Sequence, residues 1–211
     1  MLTEDSSSDV MFCPGEMVKL RLEQFHDSWV ASEVAQETCH DKQIQTFTAD
    51  DFHVGRCLGE GSFADVNCVF LRSSRWDHSK GYYAECGQAY ALKRLKSNVV
   101  ANPTMLTIAA SDLAMETTLL SNLCHKNIIS LHGMMRGNMI QSLCDGTFFI
   151  IVDLLVETLD VRFSKWQAQQ KRPKFMPIKR KDKCVTARIR EVALGIAEGM
   201  EYLHAHQVIF R

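Results

Sequence analysis

Two glycines and a lysine set the chemistry open to this chain. Gly59 and Gly61 stand in Leu58-Gly59-Glu60-Gly61-Ser62-Phe63-Ala64-Asp65-Val66, between two strand-like runs. A residue without a Cβ lets backbone N–H groups come close to phosphate oxygens. One strand later, Tyr90-Ala91-Leu92-Lys93 carries a fixed positive charge on an apolar run, suited to the same phosphates. Taken alone, each half has a plainer reading. A Gly-x-Gly pair more often makes a tight hairpin turn, and a single lysine is commonly a solvated strand residue.

A third group changes the balance. Leu113, Leu120 and Leu123 recur at i, i+7 and i+10, which places them on one helical face, and Glu116 falls within that stripe. A carboxylate turned toward a core costs several kcal/mol unless a cation meets it. Lys93, on a strand that this helix would cover, is the candidate cation. The alternative sets Glu116 at the edge of the stripe, reaching solvent.

The elements that must position these groups follow from periodicity. Phe52–Leu58 and Ala64–Leu71 read as strands, with Val66, Cys68 and Phe70 on one face of the second. The polar stretch Arg72–Gly87 reads as a long hairpin loop, and Ala89–Leu95 as the third strand. Ser97–Pro103 is a connector, and Leu106–Cys124 is the helix that carries Glu116. Ile128–Met135 and Thr147–Val152 are two further strands, the second apolar enough to be covered on both sides. Leu159–Gln170 is a short helix, Lys171–Lys183 a basic loop, and Val185–His204 a long helix. That helix has an apolar stripe of Ile189, Val192, Ile196, Met200 and Leu203. Gly195 and Gly199 sit beside the stripe, and each costs about 1 kcal/mol against alanine, which hints at close packing there. Before Phe52 the pattern is thin: a polar tip over Met1–Val10, then helical spacing of Leu22, Phe25 and Trp29. The order is α+β rather than alternating β-α-β.

Composition bounds the rest. The chain has 211 residues, net charge -1 and a hydrophobic fraction of 46%, so no global field draws it to nucleic acid or to an anionic membrane. None of its eight cysteines forms a Cys-x-x-Cys pair, so no metal site is expected, and His204 with His206 lacks further ligand spacing. The acidic polar start is unlike a signal peptide, and the run Phe148–Val156 is too short for a bilayer. Free thiols fit a reducing intracellular setting, cytoplasmic or nuclear. The basic residues Lys171, Arg172, Lys174, Lys179, Arg180, Lys181 and Lys183 read as a solvated loop, with an acidic partner or a nuclear signal as the alternative.

Two more segments make the pattern specific. His125-Lys126-Asn127-Ile128-Ile129 follows the Glu116 helix, and Tyr202-Leu203-His204 runs on to Gln207-Val208-Ile209-Phe210-Arg211. With the glycine-rich segment, Lys93 and Glu116 in this order, Phe52–Arg211 resembles the first half of a eukaryotic protein kinase domain. A dinucleotide-binding site of the Rossmann type is a poor rival, because Val66 leads on in a strand rather than a helix.

The resemblance implies a kinase N-lobe, a five-stranded antiparallel sheet plus one helix, followed by the first helices of an incomplete C-lobe. The implied divisions are an N-terminal extension at 1–51, partly disordered, the N-lobe and hinge at 52–156, and the start of the C-lobe at 157–211. It also implies ATP as ligand, Mg²⁺ as its counterion and a protein as substrate. Gly59 and Gly61, with Glu60, Ser62, Phe63 and Ala64, would close over the phosphates. Leu58 and Val66 would cover the adenine, with Ala91 beside them. Lys93 would hold the α- and β-phosphates, and Glu116 would position Lys93. Val152 would stand at the back of the pocket, and the backbone of Asp153 to Leu155 would meet the adenine edge. Leu120 and Leu131 would belong to the packed spine.

Three departures bear on activity. Ala64 replaces the third glycine, which implies a stiffer loop. Phe210 occupies the histidine of the His-Arg-Asp motif, where a ring still packs. The sequence stops at Arg211, before the aspartate that takes the substrate's proton and before the Asn and Asp that hold Mg²⁺. The expectation is therefore an ATP-binding portion of a serine/threonine-directed kinase that by itself transfers no phosphate. The second expectation is a pseudokinase-like or truncated binding module.

Overall fold

The computed structural model describes residues 14–30, 44–77, 82–84, 86–170 and 181–208. The polar tip, Phe210, Arg211 and most of the basic loop lie outside the described residues, as do the side chains of Phe25, Trp29, Tyr82 and Tyr83. The elements run α1 (Pro14–Val30), β1 (Gln45–Phe47), β2 (Phe52–Glu60), β3 (Ala64–Leu71), β4 (Arg75–Asp77), β5 (Tyr82–Ala84) and β6 (Ala89–Leu95). Then come α2 (Ser97–Val100), α3 (Pro103–Asn122), β7 (Leu131–Met135), α4 (Met139–Cys144), β8 (Phe149–Val152), α5 (Leu159–Gln170) and α6 (Lys181–Ala205).

The main sheet has the order β1-β7-β8-β6-β3-β2. The five strands expected from periodicity are in place, antiparallel as the resemblance implied, and a sixth joins them: β1 pairs with β7 in parallel, with Gln45 opposite Gly133 and Phe47 opposite Met135. Three residues are too few to show a period, which is why β1 left no readable signal. The long hairpin loop after β3 folds back on itself as the small β4–β5 ladder. Between β7 and β8, α4 was also not anticipated. Asn138 caps it, its side-chain oxygen accepting the Gln141 N–H at 3.0 Å. The expected connector before α3 contains the single turn α2, and α3 itself starts at Pro103, with Asn102 as its cap and proline in the first turn.

Each face of the sheet buries its own apolar cluster. Side chains alternate along a strand, so Ala91 and Leu95 of β6 join Ile150 and Val152 of β8 on the face that α3 covers, together with Leu106, Leu113, Leu120 and Leu131. Tyr90, Leu92, Phe149 and Ile151 go to the opposite face with Phe47, Phe52, Val69 and Leu71. All four residues of β8 are buried, as a strand covered on both sides requires. Lys93, between Ala91 and Leu95, is thereby turned toward α3. The N-terminal segment packs with the lobe: α1 lies along α3 and against α4, and Val18 is 0% exposed.

Candidate functional site: a lysine–glutamate pair beneath a glycine hairpin

β2 and β3 form the hairpin that carries the glycines. Gly59 lies opposite Val66 and Glu60 opposite Asp65, with irregular register between Cys57 and Gly59. The turn is closed by the Gly61 N–H donating to the Ala64 carbonyl at 2.8 Å. Gly59 does not have positive φ, and a Cβ built on it would meet nothing within 4 Å. Neither the turn nor the packing therefore requires glycine at position 59. Its bare backbone is exposed, open to a group approaching from outside the chain.

β3 hands this geometry to β6. Val66 lies directly opposite Lys93, and Lys93 opposite Ile150 of β8. Across the gap to α3, the Lys93 ammonium donates to Glu116 Oε2, forming an ion pair. The Lys93 side chain is 29% exposed and that of Glu116 is 37%. The pair thus stands at the margin of the core rather than within it. Glu116 is neither fully turned inward nor free in solvent.

An apolar wall adjoins the pair. Ala91 and Val152 are buried opposite one another in the β6–β8 ladder, and Leu58, Phe63, Val66 and Leu154 pack against the same cluster. At the chain's exit from β8, the Asp153 side chain turns back into the lobe. Its Oδ2 accepts the Ser130 N–H at 2.9 Å, and its Oδ1 lies 2.8 Å from Nε2 of the buried His132. The Asp153 N–H donates to the Ser130 carbonyl at 3.2 Å, so this backbone is anchored. Leu155, two residues on, is 66% exposed.

Of the residues singled out from sequence, Leu58, Val66, Ala91 and Val152 belong to or pack against one apolar cluster, Lys93 pairs with Glu116, Gly59 lies opposite Val66, and Gly61 closes the hairpin turn. Glu60 and Ser62 are exposed at the hairpin tip, Ala64 closes its turn, and Phe63 folds down onto the cluster. Leu120 and Leu131 are buried in the same cluster.

Three residues escaped sequence reasoning. Lys96 ties the tip of the hairpin: its Nζ is 3.7 Å from Asp65 Oδ1 and 3.9 Å from Glu60 Oε2, and its N–H donates to the Phe63 carbonyl at 3.0 Å. Glu198 and Tyr202 of α6 grip the turn after α3. Glu198 Oε2 accepts from Asn127 Nδ2 and pairs with Lys126, both at 2.9 Å. Tyr202 Oη accepts the Cys124 N–H at 3.0 Å, and its ring stacks on His125 at 4.9 Å. The two hydrogen bonds to Glu198, that from Lys126 being the stronger influence, hold its carboxyl below the usual carboxylate range. Gly195 explains itself here, because an added Cβ would press on the Asn127 side chain at 3.3 Å, whereas one on Gly199 would make only ordinary contact with Asn127 at 3.5 Å. The expected stripe on α6 is only partly covered, with Ile189 and Ile196 45% and 52% exposed.

Elsewhere, an open groove of about 540 Å³ between α5 and α6 is lined by Trp166, Arg188 and Val192 among others, and includes neither Lys93 nor Glu116. Among the described cysteines, 57, 68, 86 and 124 are free.

A family model described as protein tyrosine and serine/threonine kinase matches residues 52–211. That stretch is most of the chain and begins at the first residue of β2, so the chain belongs to the protein kinase family, whose members are phosphotransferases. No curated protein sequence matches it.

Proposed function

We propose that residues 52–211 bind ATP between the glycine hairpin and the chain leaving β8, as the N-terminal portion of a protein kinase domain directed to serine and threonine. The observation that carries this is the Lys93–Glu116 pair, left accessible near a glycine whose missing Cβ nothing among the described residues explains. ATP fits what is present. Lys93 would meet the α- and β-phosphates while Glu116 fixes its ammonium, the hairpin amides would line the phosphate path, and Leu58, Val66, Ala91 and Val152 would enclose the base. The anchored Asp153 would orient the backbone up to Leu155 toward the adenine edge. Bound Mg²⁺ would neutralise charge on the phosphates. Its usual carboxylate and amide ligands have no counterpart among the residues assigned here, whose proposed part is to bind the nucleotide. A protein substrate and an intracellular, reducing location belong to the same proposal.

Thermal denaturation with and without ATP tests it. At ATP one hundred times its Kd, binding adds about 2.7 kcal/mol of stability, equivalent to about 5–11 °C in Tm for a chain of this size. Lys93→Met should remove most of that shift. An ATP-induced shift that survives the substitution, or no shift in the parent chain at millimolar ATP, would count against the assignment. A binding module without catalysis gives the same shift, and differs only in lacking transfer activity.

A further inference from the structure

The sheet alone does not account for the burial of α3. An ordinary surface helix covers an apolar stripe a little over 100° wide. On α3, Ala110, Ser111 and Ala114 are 0% exposed, in addition to Leu106, Leu113 and Leu120. At 3.6 residues per turn, the buried residues run from Ala109 through Leu113, Leu106 and Ala110 to Ser111, about 200° of the helix circumference. A buried arc that wide needs a second covering element. Of the elements packed on α3, α1 makes the most extensive contact, and α4 packs against both helices. Val18, in the second turn of α1, is 0% exposed and shares one apolar cluster with Ala110, Leu113, Ala114 and Leu143. Leu22, one turn further on, packs against that cluster. Ala109, Ala110 and Ala114 have too little bulk to hold a neighbouring helix away.

α1 lies outside the stretch that matches the kinase family, yet it rests on the helix that carries Glu116. We infer that Val18 is a positioning residue for Glu116: seated through Val18 and Leu22, α1 holds α3 at the distance from β6 at which Glu116 meets Lys93. Without that cover α3 keeps only its sheet-side packing, and Glu116, at the exposed margin, loses its partner first. Its bearing on phosphate binding rests on the nucleotide reading above. The geometry itself does not, so the test needs no nucleotide.

The test measures acylation of each lysine of the full 211-residue chain by a small amine-reactive ester, mapped by mass spectrometry. Glu116→Gln sets the rate for a Lys93 that has lost its carboxylate. Val18→Asp should raise Lys93 labelling several-fold, to that rate, while Lys126 and Lys165 keep theirs. Adding Val18→Asp to Glu116→Gln should raise it no further. Leu20→Asp, on the exposed side of α1 (44% exposed), should leave Lys93 at the parent rate. Val18→Ala should give an intermediate rise and replaces the aspartate variant if that chain shows no cooperative thermal transition. An unchanged Lys93 rate in a folded Val18 variant would overturn the inference. So would a rise shared by all lysines, or one that adds to the effect of Glu116→Gln, since either means general loosening. Failure of ATP to stabilise the parent chain would instead remove the nucleotide reading and leave this one standing.

Discussion

Replacing Glu116 by glutamine separates a structural ion pair from a functional one. The substitution keeps the side chain's size and an amide oxygen able to accept from Lys93, and removes only the charge. With side chains 29% and 37% exposed, solvent screens the pair, so its contribution to folding is about 0.2–1 kcal/mol. Breaking a fully buried pair from one side would cost about 3–5 kcal/mol. At about 2–4 °C per kcal/mol, Tm without nucleotide should therefore fall by no more than about 4 °C. Binding is affected more, because an ammonium without its anchor must be ordered when the phosphates arrive. A tenfold weaker Kd lowers the stabilisation at high ATP by about 1.4 kcal/mol, or about 3–6 °C of the ATP-induced shift. Fluorescence-monitored melting of both chains, with and without ATP, gives the two quantities together. A nucleotide-free Tm depressed by far more than 4 °C would show the pair to be mainly structural. An ATP shift equal in both chains would show that Glu116 does not govern Lys93.

Two further outcomes follow from other parts of the molecule. In Gly133→Ala the new Cβ would lie 2.3 Å from the Phe47 ring and 2.8 Å from the Gln45 carbonyl, so β1 must give way. Overpacking of this kind costs about 1–3 kcal/mol, readable as a lower urea midpoint, and an unaltered midpoint would mean that β1 does not sit on β7. Glu198 titrates below the usual carboxylate range because Lys126 and then Asn127 hydrogen-bond its charged form. A depressed folded-state value means that its contribution is whole above the unfolded carboxylate range and fades as pH falls through the lower folded value. Melting curves between pH 7 and pH 3 should thus show a shallower acid decline, below about pH 4, in Glu198→Gln than in the parent. Parallel declines would exclude Glu198 from the acid response.

The candidate site was legible to the extent that its parts obey local rules. Ala91, Lys93 and Leu95 share a strand face because side chains alternate. Val152 ends an apolar run that only a doubly covered strand explains. The inward lean of Glu116 was read from Leu113 and Leu120 and was overestimated, since a helix stripe gives the angle of a side chain but not how far its neighbour extends. Lys96 gave no warning, because a lysine after a strand looks the same whether it is solvated or tied to Asp65 and Glu60. Glu198 and Tyr202 were similarly silent, although Gly195 and Gly199 marked the place where Asn127 comes close.

Residue order alone settled the class of fold, the presence of five strands, the face on which Lys93 lies and the glycine-rich segment between two of those strands. Each of these depends on interactions within a few residues, or on a repeat that one strand or helix displays by itself. Folding in three dimensions decided which remote groups meet: Glu116 with Lys93, Val18 with α3, Gln45–Phe47 with β7, and Glu198 with the turn at Asn127. The energy of such a contact resides in two surfaces jointly, so neither partner's local sequence reveals it.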